Sequence, residues 1–166
     1  MGWTDSSDFP TAGDPFKTVF VGYYDAFVTK FQTDSTPPPQ TGATGFYTLT
    51  PCRLIDTRNA NALLAGPALY ANTNRNFVVV GQCGIPPTAK AVSLNITATA
   101  ETAQGHLRLY PGGTTPPTAS SLNYVAGQTR ANSAIVMLGP LGDFGVRCVQ
   151  ASGTAHVIVD VNGYFQ

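Results

Sequence analysis

Charged side chains are scarce in this chain, at 11% of 166 residues, and their formal charges sum to zero. Soluble domains carry about 25% charged residues on average. Because nucleic acids and acidic membranes are bound through an excess of Lys and Arg, the neutral balance argues against both partners. No stretch reaches the roughly 18 consecutive apolar residues of a membrane span, so we expect no membrane insertion.

Groups that carry catalysis are equally few. His106 and His156 are the only histidines, and we expect both on outward strand faces. No GxSxG motif is present, and only one Glu is available for a carboxylate pair. The acidic residues after position 50 are Asp56, Glu101, Asp143 and Asp160. We therefore expect no enzyme, no catalytic residue and no cofactor. We expect Asp56 to be half-buried, with its carboxylate paired to Arg58 or Arg130.

The three cysteines, Cys52, Cys83 and Cys148, show no CxxC or Cys/His spacing, so we expect no metal site. In an oxidising compartment three cysteines predict one disulfide and one buried thiol. Cys52 and Cys83 both lie beside turn residues, which favours that pair. Such a disulfide would indicate an extracellular or cell-surface protein.

Helix signals are nearly absent, since the chain contains 17 Gly and 13 Pro, and apolar residues alternate along it. The clearest alternation runs over 89–99, 105–110 and 155–162, with Val92, Leu94 and Ile96 on one face of the first segment. Further strands are expected at 45–50, 52–56, 75–81, 120–124, 133–139 and 144–150, while 57–70 is a loop or one helical turn. Many short strands separated by turns predict an all-β fold, an antiparallel sandwich of immunoglobulin-like or jelly-roll type.

The chain divides at a proline-rich hinge, Thr36–Gln40. We expect an N-terminal arm at 1–32, a Pro/Thr/Gly linker at 33–45 and a β-sandwich module at 46–166. Residues 1–36 carry five Asp and two Lys, a net charge of −3, whereas the remainder carries +3. The arm and the module are therefore electrostatically complementary, which aids encounter and register.

The segment 18–31 of the arm is predicted to be a strand that is apolar on both faces. A strand of that kind is stable only when it is covered on both sides, and it is an aggregation hazard when free. We therefore interpret 18–31 as a donor strand that fills a groove in a sandwich. The candidate assembly residues are Val19, Phe20, Val21, Tyr23, Tyr24, Phe27, Val28 and Phe31.

Two resemblances accompany these patterns. GWTDSSDFPTAGDPF and YDAFVTKF, within residues 2–31, resemble one unit of the bacterial seven-bladed-propeller repeat (SBBP) family. PCRLIDTRN, GQCGIPPTAKAVSLNIT, LRLYPGG, LNYVAGQTRANSAIV and SGTAHVIVDVNGYF, which span most of 46–166, resemble a β-rich module of secreted bacterial multidomain proteins. The second resemblance implies a non-catalytic extracellular module and carries over no catalytic residues.

The sequence thus predicts a secreted structural subunit that self-assembles into a homo-oligomer or filament by donating its arm. It leaves open whether the arm inserts into its own module or into a neighbouring copy. The alternative is an accessory module that binds glycans or cell wall. Trp3, Tyr110, Tyr124 and Tyr164 would then be the stacking surfaces.

Overall fold

The computed structural model describes residues 2–4, 25–27 and 45–166 and divides the chain into two compact units, Met1–Gly42 and Ala43–Gln166. In the first unit, strand β1 (Gly2–Thr4) pairs antiparallel with β2 (Asp25–Phe27), which places Trp3 opposite Ala26. The eight candidate assembly residues lie outside the described part, apart from the backbone of Phe27. Their role stays a prediction.

Nine strands build the second unit, and no helix occurs in residues 45–166. They are β3 (Phe46–Asp56), β4 (Leu69–Tyr70), β5 (Asn74–Val78), β6 (Ala91–Thr99), β7 (Gly105–Pro111), β8 (Leu122–Tyr124), β9 (Arg130–Met137), β10 (Asp143–Gln150) and β11 (Thr154–Phe165). The predicted all-β class is therefore confirmed.

The strand order identifies the sandwich as a jelly roll. One sheet has the order β5-β10-β7-β8, the other has β3-β11-β6-β9, and β4 extends the second sheet by pairing with β11. Without β4, the unit has eight strands, and they pair from the outside of the sequence inwards. The first strand pairs with the last, and each following pair lies inside the one before: β3 with β11, β5 with β10, β6 with β9, and β7 with β8. This nesting of antiparallel pairs is the jelly-roll arrangement of two Greek keys.

The core lies between the two sheets and follows the alternation in the sequence. On β6, Val92, Leu94 and Ile96 are buried, as predicted, and the intervening residues are half-buried. The other fully buried large side chains are Ile55, Phe77, Val79, Ile85, Leu107, Phe144, Val146, Val157 and Val159. Because strand side chains alternate between faces, this apolar set closes one layer between two sheets.

The predicted strand boundaries shift where pairing decides them. Residues 45–50 and 52–56 form one strand, β3, since its ladder to β11 continues past an irregularity opposite Val161–Gly163. Strand β9 begins at Arg130, earlier than predicted, because Arg130 pairs with Ala98 of β6. The uncertain region 57–70 is a loop that ends in β4, and its Asn61 forms an isolated bridge with Gly66.

The predicted disulfide between Cys52 and Cys83 is confirmed. It joins β3 to the turn after β5 across a sequence separation of 31 residues. Cys148 is free and buried in β10, as expected. The bond therefore ties edge strand β3 to the connection that leads from β5 to β6.

Candidate assembly interface

Strand β9 is an exposed edge of its sheet along nearly its whole length. Of its eight residues, only Val136 is buried and Ala134 half-buried. Ile135 and Met137 are 67% and 64% exposed on the outer face. A long, exposed edge strand with apolar side chains is a template for pairing with another strand.

The direction of the backbone groups on β9 follows from its ladder with β6. Just beyond the strand, the Leu138 N–H donates to the Lys90 carbonyl at 2.8 Å. In an antiparallel ladder every second residue bonds to the same neighbour, so the backbone N–H and C=O groups of the even-numbered residues of β9 point towards β6. The backbone groups of the intervening residues, Ala131, Ser133, Ile135 and Met137, point away from the sheet. No strand within residues 45–166 pairs with that side.

The other edges of the sandwich are modified in ways that discourage such pairing. Strand β3 carries Pro51, which lacks an N–H, and the disulfide at Cys52. Strand β8 is only three residues long. Strand β5 is tied to the loop 62–67, because the Arg75 guanidinium donates to the carbonyls of Pro67 at 2.8 Å and Ala62 at 2.9 Å. Pro, short strands and covering loops are recognised protections of sheet edges, so β9 is the least protected edge of the described module.

A cleft of about 390 Å³ opens between β8 and β9, where the two sheets part. Its walls include Leu122, Tyr124, Val125, Gln128, Arg130 and Asn132. Asn132 Nδ2 donates to the Ser121 carbonyl at 2.7 Å and bridges the two walls. The free side of β9 and the mouth of the sandwich therefore form one continuous surface, which we call the β8–β9 cleft.

An ion-pair network lies on the outer face of the sheet that contains β9. Its residues belong to β3, to β11 and to the loop that follows β3. Arg58 donates to Asp56 through Nε at 2.8 Å and Nη2 at 2.6 Å, while Arg53 contacts both Asp56 and Asp160. The prediction that an arginine satisfies Asp56 is confirmed with Arg58. The hydrogen bonds from Arg58 hold the pKa of the Asp56 carboxyl well below its usual range, against the opposing effect of burial. Both carboxylates of the network are therefore paired with arginines.

A buried polar cluster lies behind the cleft. The Tyr124 hydroxyl donates to Gln150 Oε1 at 2.8 Å and contacts Cys148 Sγ at 3.4 Å. Glu101, at 3% exposure, has no hydrogen-bond partner for either carboxylate oxygen among the described residues. Burial raises the pKa of Glu101 and of the Cys148 thiol. Cys148 is also buried, and a thiol with a raised pKa is a poor nucleophile.

The histidines do not form a catalytic pair. His106 Nε2 accepts a hydrogen bond from Arg108 Nε at 3.0 Å, and His156 Nδ1 contacts the Thr57 hydroxyl at 3.1 Å. Burial, together with the charge of Arg108, lowers the pKa of His106. Within residues 45–166, neither ring forms a hydrogen bond with a Ser or Cys side chain.

The prediction that Tyr110 and Tyr124 are surface side chains able to stack on sugars is wrong, because both are buried. The Tyr110 ring lies on Gly145 of β10, where a Cβ would collide with it. Tyr164 is half-buried and stacks on Tyr47, with ring centroids 5.2 Å apart. Trp3 lies in β1, and its side chain is outside the described part. These positions leave no open aromatic platform at Tyr110 or Tyr124.

Within the described ranges, no group of three or more His, Cys, Asp or Glu side chains is arranged to hold a metal. Nor does any helix there combine the length and apolar character needed to cross a membrane.

No family model matches the chain, and no curated protein matches it significantly. A structure of the Tobacco streak virus coat protein dimer is 15% identical over 76% of this chain and 90% of that chain, with a TM-score of 0.38. A second crystal form of that coat protein is 16% identical over the same shares, with a TM-score of 0.31. The jelly-roll assignment rests on the strand order.

Proposed function

We propose that this protein is a non-catalytic structural subunit that self-assembles by donating residues 18–31 to the β8–β9 cleft of a neighbouring copy. The observation that carries the proposal is the free edge of β9. Its four outward-facing residues offer backbone donors and acceptors with no strand partner in the described module. An added strand gains main-chain hydrogen bonds there, as in other cases of β-augmentation.

The two-sided apolar character of 18–31 supports this position. A strand added beyond β9 turns one face to the cleft, near Leu122 and Val125, and packs the apolar side chains of its other face against the exposed Ile135 and Met137. Each large apolar side chain that is buried contributes about 1.5–3 kcal/mol. A donor with one polar face would not cover both surfaces.

The pairing of β1 with β2 is compatible with donation. That pairing occupies one edge of Asp25–Phe27, and a strand has two edges. The second edge is the one that we assign to β9 of the next copy. The sheet would then continue through β2 into β1.

Head-to-tail donation is heterologous, so it produces an open filament unless the rotation closes a ring. The linker at 33–45 reaches roughly 40 Å if extended at about 3.1 Å per residue, enough to span a small domain. We place the protein outside the cell or at its surface. The disulfide supports this location, because such bonds persist in oxidising compartments.

The test uses Ser133, whose N–H points away from β6. Proline there removes an outward donor without removing a bond of the β6–β9 ladder. Light scattering and negative-stain microscopy of the full chain should show large assemblies for the wild type and for Ser133→Ala. Ser133→Pro should remain monomeric, with an unchanged far-UV circular dichroism spectrum. A monomeric wild type, or a folded Ser133→Pro that assembles normally, would refute the proposal.

A further inference from the structure

The outer face of the other sheet carries two arginines directly opposite each other. Arg108 of β7 and Arg147 of β10 are cross-strand partners. Opposed side chains on one sheet face have Cβ atoms about 4.5–5.5 Å apart, and like charges there are destabilising. The pair therefore carries an energetic cost that a bound anion would relieve.

Both guanidiniums are held in place by neutral groups. Arg108 donates to His106 Nε2 at 3.0 Å and to the Pro117 carbonyl at 3.0 Å. Arg147 donates to Asn74 Oδ1 at 3.0 Å. A guanidinium has five N–H donors, so each arginine keeps several for a ligand.

No carboxylate of the described module neutralises this pair. The salt bridges of the described module join Arg53 and Arg58 to Asp56 and Asp160. The two remaining acids, Glu101 and Asp143, are buried, and neither forms a salt bridge within residues 45–166. Arg108 and Arg147 therefore form a half-buried positive patch, which we call the arginine pair.

We propose that the arginine pair binds carboxylates from the acidic N-terminal segment, residues 2–16, of a neighbouring copy. This inference rests on the proposed function and adds a second contact to it. The segment carries Asp5, Asp8 and Asp14 and no Lys or Arg. Carboxylates suit the ligand because a guanidinium fork binds them through two parallel hydrogen bonds.

The position of the pair in the fold agrees with this assignment. Strand β8 borders the cleft, β7 lies next to it, and β10 follows. Neighbouring strands are about 4.8 Å apart, so the backbone of Arg108 on β7 lies about 5 Å from β8 and that of Arg147 on β10 about 10 Å. An arm whose residues 18–31 occupy the cleft has its acidic segment only a few residues upstream. That segment can reach the arginines across β8.

The first experiment measures assembly of full-length variants by light scattering at low and high salt. We expect the Arg108→Glu/Arg147→Glu double variant to raise the concentration for half-assembly about ten-fold at low salt. The difference should shrink at high salt because exposed charges are screened. Lys90→Glu, an exposed charge reversal just before β6 of the other sheet, should assemble as the wild type does. Equal assembly of the double variant and wild type at low salt would overturn the inference.

The second experiment separates this inference from the proposed function. A fluorescent peptide of residues 2–16 is titrated onto the full chain carrying Ser133→Pro, which blocks strand addition. We expect binding that is lost with Arg108→Glu/Arg147→Glu and with a peptide in which Asp5, Asp8 and Asp14 are replaced by Asn. Absence of binding, or binding indifferent to these changes, would sink the arginine-pair assignment while leaving strand donation intact. Binding without wild-type assembly would sink strand donation alone.

Discussion

The Arg58 guanidinium donates two hydrogen bonds to the Asp56 carboxylate, from Nε at 2.8 Å and from Nη2 at 2.6 Å, and the Arg58 backbone N–H donates a third at 3.1 Å. Asp56 is only 8% exposed, yet both of its carboxylate oxygens accept hydrogen bonds. The pair closes the end of β3, just where the chain leaves the sheet for the loop at 57–68. It therefore fixes the exit of an edge strand.

Asp56→Asn should lower the free energy of unfolding at pH 7 by about 1.5–3 kcal/mol, since it removes hydrogen bonds to a charged group. The hydrogen bonds from Arg58 depress the folded-state pKa of Asp56. Its contribution is therefore fully present above the unfolded pKa of about 4 and is lost as the pH falls below that value. Urea denaturation at several pH values measures the difference between the two proteins.

Asp160→Asn is the matched control, because the Asp160 side chain is much more exposed than that of Asp56. It should cost less than about 1 kcal/mol. An Asp56→Asn protein that is as stable as wild type at pH 7 would show that the network does not hold the end of β3.

Glu101→Gln should stabilise the protein at pH 7.5 by about 1 kcal/mol, because it removes a buried charge whose oxygens lack partners among the described residues. Burial raises the folded-state pKa of Glu101. The destabilisation by Glu101 therefore grows as the pH rises from the unfolded pKa through the raised value. Thermal unfolding should separate the two proteins at pH 7.5 and superimpose them at pH 4. An advantage of the same size at both pH values would contradict this account.

Reducing the Cys52–Cys83 disulfide should cost about 3–4 kcal/mol, the loop-closure entropy for the separation of 31 residues. The Cys52→Ser/Cys83→Ser variant should be destabilised by that amount, and reductant should not affect it further. Cys148→Ala keeps the bond and should still respond to reductant. Urea midpoints with and without dithiothreitol measure the effect, and a wild type insensitive to reductant would count against it.

Ile135→Lys should weaken assembly by about 10- to 100-fold, since it removes an apolar contact for the donated strand and places a charge on a sheet edge. Val78→Lys is the control, because Val78 is 52% exposed on edge strand β5, which we assign no partner. Light scattering across a concentration series compares the two variants. Similar losses in both would mean that assembly responds to surface charge in general.

The sequence predicted the fold class because alternation is local. Residues such as Val92 and Val157 sit in runs whose inward positions are apolar, and those runs became β6 and β11. Pairing is non-local, so the nesting of strands was not readable. Neither was the opposition of Arg108 and Arg147, which depends on the register of β7 against β10.

The error over Tyr110 has a physical cause. An outward position on a strand predicts exposure only if the neighbouring strand offers no space for the side chain. Gly145 offers that space, so the Tyr110 ring lies flat against the sheet and is buried. The free edge of β9 was not predicted either, because a sequence does not show which strands lie inside a sheet and which lie at its edges.

Amide hydrogen exchange on the full-length protein, followed across a concentration series, tests strand donation between copies most directly. We expect the outward amides of Ala131, Ser133, Ile135 and Met137 to become protected as concentration rises, together with residues 18–31. Fast exchange of these amides at every concentration, or protection that does not depend on concentration, would contradict it.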